Sequence, residues 1–449
     1  MTTTQSPSTT SHTSRPVPVR RVGPSPQRLT VADLVRAVTL DPLPLRVTAY
    51  DGSDLGPTDS PISLHVASRD GLRYLLTAPG DLGLARAYLT GQLHLNGVHP
   101  GDPYELFVLV KRHLRVRRPA LGEVATILRR LGLSDLSTPP LPAQERPPRW
   151  RRWMHGWRGS ARSANAISHH YDVSNRYYEL ILGPSMTYTC AVYGDVTTSL
   201  EQAQENKYAL VAGKLGLRPG MTLLDVGCGW GGMVRHAARE HGVKALGVTL
   251  SRQQAQWAQA AIEREGLAGL AEVRHLDYRH APAQQFDAVS SIGLTEHIGV
   301  RNYPGYFAFL RSRLRPGGRL LNHCITRADS HSTIRPEPFT DRYVFPDGEI
   351  APPARIIDAI CNAGLEMQHE ENLRMHYAQT LAGWSANLVK HWSQACQEAD
   401  EATARVWGLY LAGSRFAFET NALQLHQILA THPGPDGASS YPWRPDWRP

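Results

Sequence analysis

The run Leu223-Leu-Asp-Val-Gly-Cys-Gly-Trp-Gly-Gly232 constrains this chain more than any other stretch. Met221 to Val226 is a short apolar segment carrying one acid, which predicts a buried strand. Glycines follow, and a helical period then runs from Met233 to His241. Strand, glycine turn and helix together open a nucleotide-binding βα unit. Gly227, Gly229 and Gly231 permit a tight turn and remove Cβ atoms, so a ligand can lie against the backbone. The order Asp-x-Gly-x-Gly-x-Gly departs from the Gly-x-Gly-x-x-Gly dinucleotide fingerprint, and no nicotinamide or flavin signature replaces it.

The alternation continues downstream. Lys244 to Val248, Glu272 to Leu276, Phe286 to Ile292 and Arg319 to Ile325 read as further strands, with Ser251 as the cap of a helix over 253–265. The third strand ends at Asp277, the fourth runs into Gly293-Leu-Thr-Glu-His-Ile-Gly299, and the fifth carries His323. Such a pattern predicts an α/β fold, a Rossmann-like doubly wound sheet that binds ligands at the carboxyl ends of its strands. Beyond Thr326, Phe339 to Phe345 reads as a lid loop, Glu366 to Glu371 as a strand, and 381–395 and 402–426 as long helices.

Upstream, residues 1–28 are rich in Ser, Thr, Pro and Arg and read as a disordered basic tail. Residues 29–136 form a small α+β domain, with strands expected at Leu45–Tyr50, Ile62–Val66 and Tyr74–Leu76. It carries no catalytic constellation, so docking to lipid is its expected role. Residues 137–164 are a linker, first Pro-rich and then interleaving Trp150, Trp153 and Trp157 with Arg149, Arg151, Arg152, Arg158 and Arg162. Indoles and guanidiniums suit a membrane interface. Residues 165–432 are the catalytic domain and 433–449 a polar tail.

With 41% apolar and 20% charged residues the chain is globular, and no apolar run approaches the ~20 residues of a membrane span. The net charge of +8 points to a polyanionic surface, nucleic acid or anionic lipid, and no nucleic-acid motif accompanies it. Five scattered cysteines show no metal-ligand spacing and fit a reducing cytoplasm. No apolar core follows the N-terminal charges, so no secretory signal is expected. These features predict a cytoplasmic protein, and a position peripheral on the inner membrane face is the expectation, with a merely basic cytosolic enzyme as the alternative.

The glycine stretch looks like motif I of the class I methyltransferases, which bind S-adenosylmethionine. Over 165–426 the chain resembles the cyclopropane-fatty-acid and mycolic-acid cyclopropane synthases. The blocks that carry this are His169-His-Tyr-Asp172, Tyr188-Thr-Cys-Ala191, motif I, Thr249-Leu-Ser251, Glu296-His297, Arg315-Pro-Gly-Gly318, Asn322-His-Cys-Ile325, and Tyr377 with Trp384. Within that group the chain is similar to actinobacterial enzymes that place a methylene or methyl branch in oleoyl groups. The resemblance implies attack of an acyl-chain double bond on the methyl of S-adenosylmethionine and deprotonation of the resulting cation by a held bicarbonate. It implies Cys190, Glu296, His323, Ile325 and Tyr377 as the bicarbonate site, with the amides of Cys190 and Ile325, His323 and the Tyr377 hydroxyl donating and Glu296 accepting. His323 is also expected to pass the proton to solvent.

For the cofactor it implies Asp225, Gly227, Cys228, Gly229 and Gly231 at the amino acid and ribose. Thr249, Leu250, Ser251 and Gln254 stand where an acid usually meets the ribose. Asp277 and Tyr278 should meet the adenine, and Tyr188, Thr189 and Gly293 the methionine end. Tyr193, Tyr306, Phe309 and Phe339 are candidates for facing the cation. Cys324 stands where the resembled family often has Thr. The implied partner is an unsaturated phospholipid at an anionic membrane, with a separate reductase if a methyl branch is the end product, no nucleic acid, and a possible homo-oligomer. A catalytically silent lipid-binding protein and a small-molecule or nucleic-acid methyltransferase are the alternatives.

Overall fold

The computed structural model describes residues 1–2, 29–131, 136–145, 173–331 and 335–447. The Arg/Trp stretch 149–162 and His169-His-Tyr-Asp172 lie outside the described residues. The N-terminal unit opens with α1 (Val31–Val38), whose cap Thr30 accepts from the Asp33 amide. After β1 (Thr39–Leu40), four strands form a sheet in the order β3-β2-β4-β5: β2 (Arg46–Ala49), β3 (Asp54–Leu55), β4 (Ser63–Val66) and β5 (Leu93–Asn96). Two helices, α2 (Arg69–Thr77) and α3 (Asp81–Leu89), connect β4 to β5. The unit closes with α4 (Tyr104–His113), β6 (Arg115–Val116) and α5 (Leu121–Arg130).

Tyr74 to Leu76, expected as a strand, lies inside α2. The Ser68 hydroxyl accepts from the Asp70 and Gly71 amides, and that N-cap commits the following residues to a helix despite their β-favouring composition.

The catalytic part begins with α6 (Asn175–Leu182) and α7 (Leu200–Leu215), followed by β7 (Thr222–Val226), α8 (Gly232–His241), β8 (Lys244–Thr249), α9 (Arg252–Arg264), β9 (Ala271–His275) and β10 (Phe286–Ile292). A one-turn helix α10 (Thr295–Ile298), α11 (Tyr303–Ser312) and the long β11 (Leu314–Arg327) come next. Then follow α12 (Pro338–Tyr343), α13 (Pro353–Asn362), β12 (Glu366–Asn372), α14 (Arg374–Lys390), α15 (Trp392–Glu398), α16 (Glu401–Glu419) and β13 (Leu423–Thr431).

The seven strands order as β12-β13-β11-β10-β7-β8-β9. From β11 through β9 all neighbours are parallel. The chain leaves β7 toward β8 on one side and returns to β10 on the other, which opens a crevice at the carboxyl ends of these two strands. One strand is antiparallel, β13, wedged between β11 and β12. Residues 402–426 were expected as one helix. The helix stops at Glu419 because Asn421 takes a left-handed φ of 63°, and the chain re-enters the sheet at Leu423.

The N-terminal unit, expected as a separate domain, shares one apolar core with the catalytic helices, from Val31 and Tyr88 through Tyr178 to Trp407 and Tyr410. The Arg415 guanidinium covers the Tyr104 ring at 3.6 Å, and Arg405 donates to the Tyr88 carbonyl at 3.0 Å. The C-terminal tail also docks, with Tyr441 under Arg319 and Trp447 against Gly213.

Glu145, in the described part of the linker, joins three regions. Its carboxylate takes a bidentate fork from Arg86 of α3 at 2.6 and 2.7 Å, meets Arg342 at 3.3 Å, and accepts from the Tyr343 hydroxyl at 3.1 Å. Its side chain is wholly buried and that of Arg86 nearly so. Removing one partner of such a pair strands a buried charge, at about 3–5 kcal/mol. Glu145→Ala should therefore lower unfolding stability in urea by about that amount. An unchanged midpoint would show that the ion cluster contributes nothing net.

Candidate active site

The glycine turn sits at the carboxyl end of β7 with φ of 77°, 55° and 73° at Gly227, Gly229 and Gly231. Gly227 and Cys228 donate their amides to the Val248 carbonyl at 2.9 and 3.1 Å, which pins the turn to β8. A Cβ added at Gly229 would meet no protein atom within 4 Å. The backbone there is open to a ligand, as a cofactor laid against the turn requires. The Asp225 side chain turns inward. It accepts from Ser290 Oγ on β10 at 2.6 Å, and burial pushes its carboxyl up to about 6 against the opposing pull of that bond and of Lys207.

At the end of β8 the polar groups engage one another. Thr249 donates to Gln254 Oε1 at 2.9 Å, the Ser251 amide donates to Thr249 Oγ1, and the Gln254 amide to Ser251 Oγ. The three side chains are buried, so they shape the bend, with Leu250 at its tip accepting from His275 at 3.1 Å. Cys228 faces Gly247, where any Cβ would lie 2.7 Å from its sulfur. Asp277 pairs with Arg279 at 2.5 Å, and Tyr278 sets its edge against Tyr306 and Phe309.

All five expected bicarbonate-site residues line one cavity of about 90 Å³, together with Tyr188, Thr189 and Gly293 from the expected methionine end. Strand register explains the convergence. His323 pairs with Ile292, the last residue of β10, and accepts the Gly293 amide on its carbonyl at 2.8 Å. Side chains alternate along a strand, so His323 and Ile325 share the cavity face. Asn322 and Cys324 point to the opposite face, where Asn322 accepts from Thr295 at 2.6 Å and donates to Cys324 Sγ at 3.2 Å. The Cys324 departure therefore falls behind the cavity wall.

Glu296 is carried in by α10. Its Oε1 accepts from the Ile325 amide at 2.6 Å, while its Oε2 is buried without a hydrogen-bond partner. This corrects one expectation: the Ile325 amide is spent on Glu296 and does not donate into the cavity. Burial raises the Glu296 carboxyl to about 7, although the Ile325 amide pulls the other way. His323 is fully buried, and its Nε2 likewise has no protein partner. Burial, with Lys207 and Lys214 nearby, holds its imidazole far below the usual range and keeps it neutral. The Cys190 thiol donates to the Ala191 carbonyl, and burial pushes it up, so it remains a neutral thiol. Two unsatisfied polar atoms facing one cavity are costly unless a ligand meets them, and an anion carrying both donor and acceptor atoms fits the pair.

The rest of the wall is mostly apolar and aromatic. Tyr188 packs on Trp384 with centroids 5.3 Å apart, and Phe345 packs on Tyr410 at 5.7 Å and His297 at 5.5 Å. Pro336, Thr340, Phe345, Gly348 and Ile350 form the roof; of the 339–345 stretch expected as a lid loop, Thr340 and Phe345 take part, and most of that stretch is helical in α12. Of the aromatic candidates for the cation, none lines the cavity. Tyr306 and Phe309 lie behind β10 against Tyr278, Tyr193 stacks on His376, and Phe339 stacks on Tyr343. Tyr188, Phe345, Tyr377 and Tyr410 are the aromatic residues that line the cavity. Sequence reasoning also missed Gln204 and Lys207, spaced three apart on α7, which hold the Thr189 carbonyl and hydroxyl at 2.9 and 3.1 Å. A lysine and a glutamine among Ala203, Leu210 and Val211 were the available signal. A second, open depression of about 450 Å³ between Gln368, His369 and the tail has no acid or thiol in its described lining.

Fold and site together define a class I, S-adenosylmethionine-dependent methyltransferase. The family model for mycolic acid cyclopropane synthetase matches residues 159–428, and the chain belongs to that family. A probable fatty acid methyltransferase of Mycobacterium tuberculosis is 56% identical over 424 residues, 94% of this chain and 99% of that protein. The cyclopropane-fatty-acyl-phospholipid synthase of Escherichia coli is 34% identical over 260 residues, 58% of this chain and 66% of its own length. The crystal structure of mycolic acid cyclopropane synthase CmaA1 complexed with SAH and CTAB superposes with a TM-score of 0.56 at 30% identity, over 60% of this chain and 97% of that one. The enzyme thus transfers a methyl group from S-adenosylmethionine to lipid acyl chains.

The Glu296 shift has a measurable sign. An acid raised from 4.5 to about 7 on folding binds its proton more tightly in the native state, so it costs stability as pH rises through that window. Glu296→Gln keeps the acceptor for Ile325 and removes the charge. The variant should be about 3 kcal/mol more stable than the parent at pH 8, and within about 1 kcal/mol of it at pH 5, by urea unfolding. An equal difference at both pH values would show a well-hydrated carboxylate instead.

Proposed function

We propose that the enzyme methylates the cis double bond of an unsaturated, oleoyl-like phospholipid acyl chain, with bicarbonate as the base. The observation that carries this reading is the largely apolar cavity lined by Glu296 and His323, whose Oε2 and Nε2 are buried without a hydrogen-bond partner. When bound, S-adenosylmethionine supplies an electrophilic methyl and bicarbonate supplies a base. The alkene's π pair would take that methyl carbon as its bond to sulfur breaks and S-adenosylhomocysteine leaves, so that positive charge would develop on the neighbouring acyl carbon. Tyr188, Phe345, Tyr377 and Tyr410 surround that carbon with aromatic faces and exclude water, which would quench it. Loss of a proton from the delivered carbon closes a cyclopropane, and loss after a hydride shift gives an exocyclic methylene, the 10-methylene product on an oleoyl chain.

That proton would pass to bicarbonate, and the chain's own groups hold the anion in place. Glu296, poised near neutrality, accepts from the anion's hydroxyl, and His323 donates to its oxygen. Tyr377 lines the same wall, its ring fixed on Phe418 at 4.6 Å. The relatives' names, a fatty acid methyltransferase and a cyclopropane-fatty-acyl-phospholipid synthase, support an acyl phospholipid as substrate. An anionic bilayer as the site of action is supported by the net charge of +8 and by exposed Val116 and Leu121 among Arg115, Arg118, Arg129 and Arg130. No helix among the described residues is long and apolar enough to cross a membrane.

Incubation with isotope-labelled S-adenosylmethionine and oleoyl phospholipid vesicles, then mass spectrometry of released fatty acids, should show the gain of one labelled CH₂. Turnover should fall in carbonate-free buffer and return on adding bicarbonate. Glu296→Gln should lower product by about a hundredfold or more. Full turnover in that variant, or indifference to bicarbonate, would overturn the assignment of the base.

A further inference from the structure

Behind His323 runs a buried polar row that the reaction as described does not use. His323 on β11 stands directly opposite Gln427 on β13, and Gln427 opposite Glu371 on β12. Opposed residues of an antiparallel pair bring their side chains into contact. Gln427 Nε2 lies 3.2 Å from His323 Nδ1, and Gln427 Oε1 lies 2.7 Å from Lys214 Nζ at the end of α7. Lys214 also meets Glu371 Oε2 at 2.5 Å. The Gln427 side chain and its two neighbours Lys214 and His323 are excluded from solvent.

The donors and acceptors in this row admit one arrangement. An ammonium only donates, and the contacts to Glu371 and to the Gln427 oxygen favour that form of Lys214 against the downward pull of burial. Gln427 must therefore turn its oxygen to Lys214 and its NH₂ to His323. An amide NH₂ only donates, so His323 Nδ1 must accept and carry no proton. A neutral imidazole then has its single proton on Nε2, the nitrogen that faces the cavity without a protein partner.

We infer that Lys214 and Gln427 are positioning residues that lock His323 as a neutral Nε2–H donor, so that His323 holds an anionic oxygen in the cavity and does not carry the proton away. Burial opposes a second proton on the ring, and so does any charge on Lys207 and Lys214. A glutamine amide offers no path for relaying a proton outward. The expected role of His323 as a proton conduit to solvent is thereby replaced by a fixed hydrogen bond. The consequence for turnover rests on the proposed reaction, whereas the tautomer does not.

The test uses full-length enzyme with ¹⁵N-labelled histidine, the His323 resonances being identified by their loss in His323→Gln. Wild-type protein should show a protonated Nε2 and a bare Nδ1 across neutral pH. Gln427→Glu is nearly isosteric, and its carboxylate accepts from both Lys214 and His323. It should reverse the ring, placing the proton on Nδ1 and a lone pair toward the cavity. Methyl transfer to oleoyl phospholipid should fall about a hundredfold, as for loss of one fixed donor, with the KM for S-adenosylmethionine unchanged. A protonated Nδ1 in wild-type enzyme overturns the inference. So does Gln427→Glu with a reversed ring and wild-type turnover. The expected tautomer in an enzyme that methylates no alkene would sustain the inference and overturn the proposed reaction alone.

Discussion

Withdrawal of charge from water at the carboxyl ends of β10 and β11 is the constraint on which the site depends. A carboxyl raised to about 7 and an imidazole held neutral are both products of burial, and neither exists on an open surface. The fold meets the cost with internal bonds. The Ile325 amide takes one oxygen of Glu296, Gln427 takes one nitrogen of His323, and the other atom of each is left to a ligand. Functional sites are where a native structure tolerates such unsatisfied atoms.

Everything around that pair serves to keep the space dry and small. α7, buried on most of its circumference, holds the Thr189 segment through Gln204 and Lys207. The missing side chain at Gly293 lets that segment close down, since a Cβ there would lie 2.9 Å from Thr189 Cγ2. On the far side, α12 and the residues after it make the roof, and Phe345 carries it onto Tyr410 and Tyr188. Cavity, cofactor turn and roof are thus parts of one packed layer and not a cleft between loosely joined bodies.

Much of this was legible in the sequence because it rests on local rules. The glycine turn with its flanking strand and helix follows from spacing, whereas the meeting of Cys190, Glu296, His323 and Tyr377 in a single cavity was implied by the family resemblance alone. What escaped notice depends on contacts between distant segments. The Leu423–Thr431 strand was hidden because its apolar residues continue the period of the preceding helix, and Asn421 alone marks the break. Missing that strand also hid Gln427, which acquires meaning only opposite His323. The cavity aromatics were misassigned because nothing in one dimension says that Tyr306 lies behind β10 while Tyr410 reaches over it. The tied-up hydroxyls of Thr249 and Ser251 are likewise a matter of the bend's three-dimensional closure.

The Glu145 cluster has a bearing on how this architecture can be recombined. One carboxylate from the interdomain segment is read by Arg86 in the first half of the chain and by Arg342 and Tyr343 in the second. A chimera that joins the front half of one homologue to the back half of another must transfer these four side chains as a set. Otherwise the graft buries a guanidinium against nothing, and the defect surfaces in the roof over the cavity, far from the splice point.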